Sequence, residues 1–395
     1  MPVTRRGFTL GVASSAATLC SGFAGELLMG AAHAGGIANP KKTRILFNEN
    51  PLGPSPLSLA AIESHANMLS RYPLSEGPRL EMKLRKMHGL SYRDATGELS
   101  LVPAPPLEGN TDLLLGVGSS EILRSIAWAF GTQKGNLVEA NPSYSALGDA
   151  VATMPGAQLE RRIIPLNESG RVSTTGMIQA IDSSTKLVVV CNPNNPTGTS
   201  IPLSEIESLA DAIPKDALLL VDEAYIEFLP NGDRVSAMEL AKNRDNVLVA
   251  RTFSKIYGLA GLRVGYAVAS TSVISKIKPF MLGRLSMSMA GVLAAEAALD
   301  DKGHIAQTKE LHQKTNELWQ RGFRDAGWKM TPSDVGFCWV DLGHDCAPLV
   351  SFLADRGVLI CSGMRWELPN YVRISMGADS ENDQLLSGIR AFKKA

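Results

Sequence analysis

Arg251-Thr252-Phe253-Ser254-Lys255-Ile256-Tyr257-Gly258-Leu259-Ala260-Gly261-Leu262-Arg263-Val264-Gly265-Tyr266 holds one lysine among small, apolar and hydroxyl residues, with an arginine eight positions on. An isolated lysine is nearly always a solvated charge. Here its neighbours are apolar or small, so a reactive amine is the better reading. Apolar runs flank the stretch at 247–250 and 264–268 and predict strands. Further runs of the same kind lie at 136–139, 186–191 and 217–221, with helical segments between them. Such strands are buried on both faces, which predicts an α/β fold with a mostly parallel central sheet. From about residue 286 the rhythm changes. A long helical region precedes predicted strands at 336–342 and 371–375, so a second, smaller α/β domain is expected.

Toward the N-terminus, a strand at 44–47 leads into the turn-rich Asn48-Glu49-Asn50-Pro51-Leu52-Gly53-Pro54. Helices are predicted over 56–69 and 79–88, and residues 91–110 read as a Pro-rich surface loop. The expected division is a signal segment over 1–34, the N-terminal part of the small domain over 40–75, a large domain over 76–285, and the rest of the small domain over 286–395.

The 395 residues carry 39 basic and 39 acidic side chains. Nothing in that balance suggests a nucleic-acid surface or a polybasic membrane patch. Thr4-Arg5-Arg6-Gly7-Phe8-Thr9-Leu10 looks like a twin-arginine export signal. Ala32-His33-Ala34 supplies the small residues read by a signal peptidase. Glu26 and the many glycines argue against a stable spanning helix, which needs roughly 20 strongly apolar residues. A periplasmic or secreted enzyme is therefore expected, without stable membrane association. Export would permit a disulfide among Cys191, Cys338, Cys346 and Cys361, but unpaired thiols are the simpler reading. No Cys/His spacing suggests a metal.

Three further clusters carry chemistry. Gly116-Val117-Gly118-Ser119-Ser120-Glu121 opens an apolar-periodic helix, where backbone amides and hydroxyls can face an anion. An ordinary capped helix would look the same. Cys191-Asn192-Pro193-Asn194-Asn195-Pro196-Thr197-Gly198 sits at the carboxyl end of a strand, where open α/β sheets place ligands. Asp222, in Asp222-Glu223-Ala224-Tyr225, also ends an apolar strand, and a carboxylate there is costly unless paired or solvated.

Together these segments resemble the fold-type I pyridoxal-phosphate enzymes, specifically the histidinol-phosphate aminotransferase branch. The resemblance spans about 48–377 and rests on Asn48-Glu49-Asn50-Pro51, Asn192-Pro193-Asn194-Asn195-Pro196-Thr197-Gly198 and Thr252-Phe253-Ser254-Lys255. It implies an aspartate-aminotransferase-like fold and pyridoxal 5'-phosphate as cofactor. Lys255 is implied to form the aldimine and shuttle the α-proton, and Asp222 to pair with the pyridinium nitrogen. Tyr225 and Asn195 would bond the phenolic oxygen, and Tyr144 would stack on the ring. Ser119, Ser120, Thr252, Ser254 and Arg263 would hold the phosphate. Tyr72 would reach the phosphate of a neighbouring subunit, which implies a homodimer. Arg373, in Tyr371-Val372-Arg373-Ile374-Ser375, would grip the α-carboxylate with its bidentate fork. Asn50 and the position of Cys361 would also face substrate.

Departures from the family concern substrate. Cys361 stands where these enzymes usually place the arginine that binds the substrate phosphate, and a neutral thiol cannot replace it. Arg365, four residues on, reads as a surface charge. Gly336-Phe337 replaces a frequent Asn-Phe pair. The expectation is an amino-acid transaminase working by ping-pong half-reactions on an amino acid and a 2-oxo acid. Its substrate would be apolar, aromatic or differently charged rather than histidinol phosphate. The alternatives are histidinol-phosphate transamination itself, decarboxylation, oxidation or epimerisation on the same scaffold, or an exported amino-acid-binding protein. A nicotinamide enzyme is excluded by the lack of GxGxxG after the first strand.

Overall fold

The computed structural model describes residues 42–91 and 110–395. The expected signal segment and residues 92–109 of the predicted loop lie outside them. After the two-residue strand β1 (Thr43–Arg44), the chain forms β2 (Thr111–Gly116), β3 (Gly135–Asn141), β4 (Leu159–Pro165), β5 (Thr185–Cys191), β6 (Leu218–Asp222), β7 (Val247–Thr252) and β8 (Gly265–Ser270). Among the described residues, β2–β8 make one seven-stranded sheet in the order β2-β8-β7-β6-β5-β3-β4.

Alternation along these strands explains why they are apolar throughout. Val188 and Val190 of β5, Leu219 and Val221 of β6, and Val247 and Val249 of β7 join one core cluster. Leu187, Val189, Leu218, Leu220 and Leu248 join the other. Successive side chains leave opposite faces of a strand, so both faces are buried. Helices Ser119–Phe130, Ala146–Thr153 and Thr271–Ile277 contribute to the second cluster through Ile122, Ile126, Val151 and Ile274. Helix Leu203–Ala212 covers the first with Ile206 and Leu209. Each such side chain contributes roughly 1.5–3 kcal/mol by leaving water.

The sheet is mostly parallel, as expected, with one exception. β8 runs antiparallel to both β7 and β2. A parallel return needs a crossover of a dozen or more residues, usually a helix. Residues 253–264 hold only the 3₁₀ turn Ala260–Leu262, so the chain doubles back. Lys255 sits in that return. Two strands were not anticipated. Both are edge strands of the large sheet: β2 opens with the polar Thr111 and Asp112, and β4 (Leu-Glu-Arg-Arg-Ile-Ile-Pro) carries charges and a terminal proline that disguise it. The helix expected over 56–69 ends at Ser64 and resumes as a 3₁₀ turn, Ala66–Met68.

A four-stranded antiparallel sheet follows from β9 (Lys329–Thr331), β10 (Phe337–Asp341), β12 (Cys361–Ser362) and β13 (Tyr371–Ser375), in the order β12-β13-β10-β9. Its helices are Lys302–Asp325, Ala347–Asp355 and Asp379–Phe392. β11 (Val358–Leu359) pairs in parallel with β1, so the segment entering the site is stitched to the C-terminal lobe.

Candidate active site

The carboxyl ends of β5, β6 and β7 deliver Cys191, Asp222 and Thr252 to one rim of the large sheet. Asp222 is buried and accepts a 3.1 Å bond from the Ala224 amide. Burial lifts its carboxyl to about 6, against the Ala224 bond and the Lys255 charge, while Glu223 adds to the rise. A buried acid of this kind suits a cationic partner.

Lys255 donates to the Phe47 carbonyl at 3.0 Å and lies 5.7 Å from the centre of the Tyr225 ring. Its amine is lowered to about 8, chiefly by burial and then by the Arg373 charge. Such an amine holds a neutral fraction near physiological pH, as a proton-transfer group requires. Tyr225 accepts from Asn48 Nδ2 at 3.0 Å, which leaves its own hydroxyl proton to donate. Burial raises this phenol, opposed by Arg373.

Beside the lysine lies an anion-shaped cup. Arg263 Nη1 donates to Ser254 Oγ at 3.2 Å, and Thr252 Oγ1 donates to Ser254 Oγ at 2.9 Å. Gly118, at φ 72°, caps helix Ser119–Phe130, and an added Cβ would lie 2.3 Å from Arg263 Nη2. A Cβ on Gly265 would lie 2.3 Å from the Ser119 amide. The glycines thus let the guanidinium and the helix N-terminus converge. Ser120 is exposed and bonds the phenol of Tyr144. That phenol is raised by burial and by Asp222, and opposed by Arg365 and the Ser120 bond.

Arg373 is buried on β13. Its Nη1 donates to Asn195 Oδ1 and its Nη2 to the Leu46 carbonyl, both at 2.6 Å. Accepting with Oδ1 fixes the Asn195 amide so that its Nδ2 is the outward donor. Arg373 Nε is buried without a partner among the described residues. In register with Arg373 stand Trp339 on β10 and Cys361 on β12, so the three share one face. Trp366 and Phe337 wall the guanidinium at 5.4 and 5.8 Å.

Most of the expected residues therefore meet. Lys255 and Tyr225 line the cleft; the Lys255 amine feels the charges of Asp222, Arg373 and Arg263, Arg373 bonds Asn195 and faces Cys361 across the strands, Tyr144 meets Asp222 and Ser120, and Arg263 converges with Ser119, Thr252 and Ser254. Tyr72, expected to act on a neighbouring subunit, is 67% exposed and stands outside this cluster within one chain. Asn50 lines the cleft, but its amide is committed: Nδ2 donates to the Ile256 carbonyl and Thr308, and Oδ1 accepts from Leu52. These three internal bonds hold the lysine loop in place. Asn48 was missed as a site residue. It adopts φ 55°, which asparagine tolerates, and joins Tyr225 to Ser375. Its signal was the Asn-Glu-Asn-Pro segment itself. Arg365 is exposed, as expected, yet its charge reaches Tyr144.

Residues 52–390 match the family described as aminotransferase class I and II. A curated relative, histidinol-phosphate aminotransferase 2 of Pseudomonas fluorescens, is 34% identical over 88% of this chain and 87% of its own length. The crystal structure of histidinol-phosphate aminotransferase from Sinorhizobium meliloti in complex with pyridoxal-5'-phosphate is 28% identical, with a TM-score of 0.79, covering 93% of this chain and 94% of that one. A Thermus thermophilus aspartate aminotransferase, at 20% identity and a TM-score of 0.73 over 89% of this chain and 91% of that one, shares the two-domain fold.

Proposed function

We propose that this chain, which belongs to the class I and II aminotransferase family, transfers the amino group of a free, unphosphorylated amino acid to a 2-oxo acid in two half-reactions. It is an aminotransferase that depends on pyridoxal 5'-phosphate. The observation that carries the finer reading is the shared cleft: a lysine amine lowered to about 8 beside a buried arginine with an unpartnered Nε.

The donor set fits the cofactor. The cup of Gly118, Ser119, Thr252, Ser254 and Arg263 suits a phosphate, and buried Asp222 suits a protonated ring nitrogen. Asn195 Nδ2 and the Tyr225 hydroxyl would donate to the phenolic oxygen, Tyr144 would cover the ring, and Lys255 would hold the group through its amine. When bound, the cofactor supplies an electron-withdrawing ring that stabilises negative charge at the substrate α-carbon. Arg373 fixes the α-carboxylate. Lys255 Nζ accepts the proton from that carbon, and Tyr225 and Asn48 hold the lysine's surroundings in register.

Phosphate recognition by the side-chain pocket is not supported. Cys361, beside Arg373, carries no charge to offer a phosphate. Phe228, Gly336, Phe337 and Met376 line the cleft, and Gly336 lets them close up, since a Cβ there would meet Met376 Sδ and Phe228 Cζ at 3.1 Å. These apolar walls favour an apolar or aromatic side chain. An amino-acid panel monitored by loss of the cofactor's visible absorbance tests the proposal. Appearance of a 2-oxo acid without oxygen uptake or carbon dioxide release is expected. Fast reaction with histidinol phosphate alone would overturn the substrate reading, and carbon dioxide release the transamination reading.

Two substitutions probe the subsites. Gly118→Ala would push Arg263 out of the cup and weaken cofactor binding at least about tenfold, near 1.4 kcal/mol; equilibrium dialysis measures it. Cys361→Arg should raise kcat/KM for histidinol phosphate by roughly 10–100-fold, the worth of a charge-assisted bond of about 1.5–3 kcal/mol.

The proposal includes a homodimer. Leu52, Leu57, Leu69, Tyr72, Leu282 and Leu285 are large apolar side chains left exposed. A second copy would cover them and bring Tyr72 to its neighbour's cup, which a sedimentation measurement checks. Export by the twin-arginine route, supported by Arg5-Arg6 and Ala32-His33-Ala34, is tested by cell fractionation.

A further inference from the structure

Asp222, the last residue of β6, and Glu223, which follows it, are consecutive buried carboxylates with different partners, and the reaction accounts for only the first. Glu223 is fully enclosed and fully bonded. Ser236 Oγ donates to its two oxygens at 2.9 and 2.7 Å, and the Ala237 amide donates at 2.6 Å. Arg251 Nε and Nη2 both reach Oε2 at 3.0 Å, and Nη2 also bonds Ser236 Oγ at 2.9 Å. Arg251 is itself buried, on β7 immediately before Thr252 of the anion cup. The Glu223 amide donates to the Ala250 carbonyl at 2.8 Å, so the pair clamps together the strand ends that present Asp222 and the lysine loop.

We infer that Glu223 and Arg251 are a positioning pair that fixes the direction of Asp222, with Arg251 offsetting part of the charge that Glu223 places beside it. The inference rests on the reading of Asp222 as the residue that faces the cofactor. Asp222 is faced by Lys255, Glu223, Cys191 and Tyr144. Arg251 is faced by Glu223, Glu227, Tyr257 and Tyr266, and its charge also acts on His88. A carboxylate next in sequence to Asp222 would oppose its ionisation. The paired guanidinium offsets part of that charge, and Glu223 still adds to the rise at Asp222. Removing one member exposes the other in a medium of low polarity, whereas removing both restores balance.

The test titrates the Asp222 carboxyl by carbon-13 NMR in the full-length chain without cofactor, with the resonance assigned by Asp222→Asn. Arg251→Met is expected to raise the Asp222 midpoint by about one pH unit or more, and Glu223→Gln to lower it. The double variant returns it to within about half a unit of the original. Should Arg251→Met fail to fold, Glu223→Gln and the double variant decide. An unchanged midpoint in every folded variant would overturn the inference, as would a double variant that does not restore it. Because this titration needs no cofactor, its outcome is separate from that of the transaminase reading. That reading fails if cofactor added to the unaltered protein shows no absorbance change with any amino acid, or if the reaction releases carbon dioxide. In the loaded variants, weaker cofactor retention by either single substitution and recovery in the double are expected.

Discussion

Lys255→Ala is expected to lower kcat by on the order of 10⁴-fold, the upper range for losing a positioned proton-transfer group. The argument starts from the fold. Residues 253–264 return the chain antiparallel without a helix, and the lysine is held there by backbone, not by its own side chain. Among the described residues its amine makes one hydrogen bond, to the Phe47 carbonyl. Truncation therefore removes the chemistry and little of the architecture. The lysine's value of about 8 lies below its ordinary one. The folded state thus disfavours the charged amine, and the cost is fully present below pH 8 and fades as the pH rises toward the unfolded value. Alanine removes that cost while losing some packing, so the variant should melt within a few degrees of the original at pH 7. Thermal melting and single-turnover kinetics with a reactive amino acid measure the two effects. Partial rescue by a small primary amine would place the defect in proton transfer. Turnover above a few per cent of the original, without added amine, would remove Lys255 from the reaction.

What could be seen in the sequence follows from where burial is two-sided. β5, β6 and β7 read directly as strands because both their faces are covered. β4 hides because an edge strand carries Glu160, Arg161 and Arg162. The direction of β8 is a property of its connection, and composition alone does not display it. The same division applies to the site. Lys255, Asp222 and Arg373 stand out as charges amid apolar neighbours, so their strangeness is local. The exchange between Asn48 and Asn50 is not local. Both asparagines precede the same proline, and only the contacts 177 and 206 residues away separate the one that supports Tyr225 from the one that pins the Ile256 carbonyl. Glu223 was masked by standing beside Asp222. Its partners Ser236 and Arg251 lie 13 and 28 residues on, a spacing without a periodic signature.

Asp222→Asn should have opposite effects on the empty and the loaded protein. In the empty protein, burial raises the carboxyl to about 6 from its ordinary 3.8. A raised acid favours folding while protonated, so its charge costs stability as the pH climbs from about 4 to 6, and the full cost stands above 6. Asparagine keeps an oxygen for the Ala224 amide and carries no charge. The cofactor-free variant should therefore be more stable than the original at pH 7, by on the order of 2–3 kcal/mol, and no more stable near pH 4. In the loaded protein the sign reverses, because a carboxylate that is costly alone is valuable opposite a protonated ring nitrogen. Removing one member of a buried ion pair costs about 3–5 kcal/mol. Felt in the transition state, that is a loss of roughly 10²–10⁴-fold in kcat. Denaturant unfolding of the empty proteins at the two pH values, set beside kcat of the loaded ones, tests both halves at once. A variant that is less stable when empty and equally active when loaded would mean that Asp222 serves the fold alone. The reverse pattern is what a site held ready for a cation demands: the protein tolerates a charge that its own core disfavours because the ligand neutralises it.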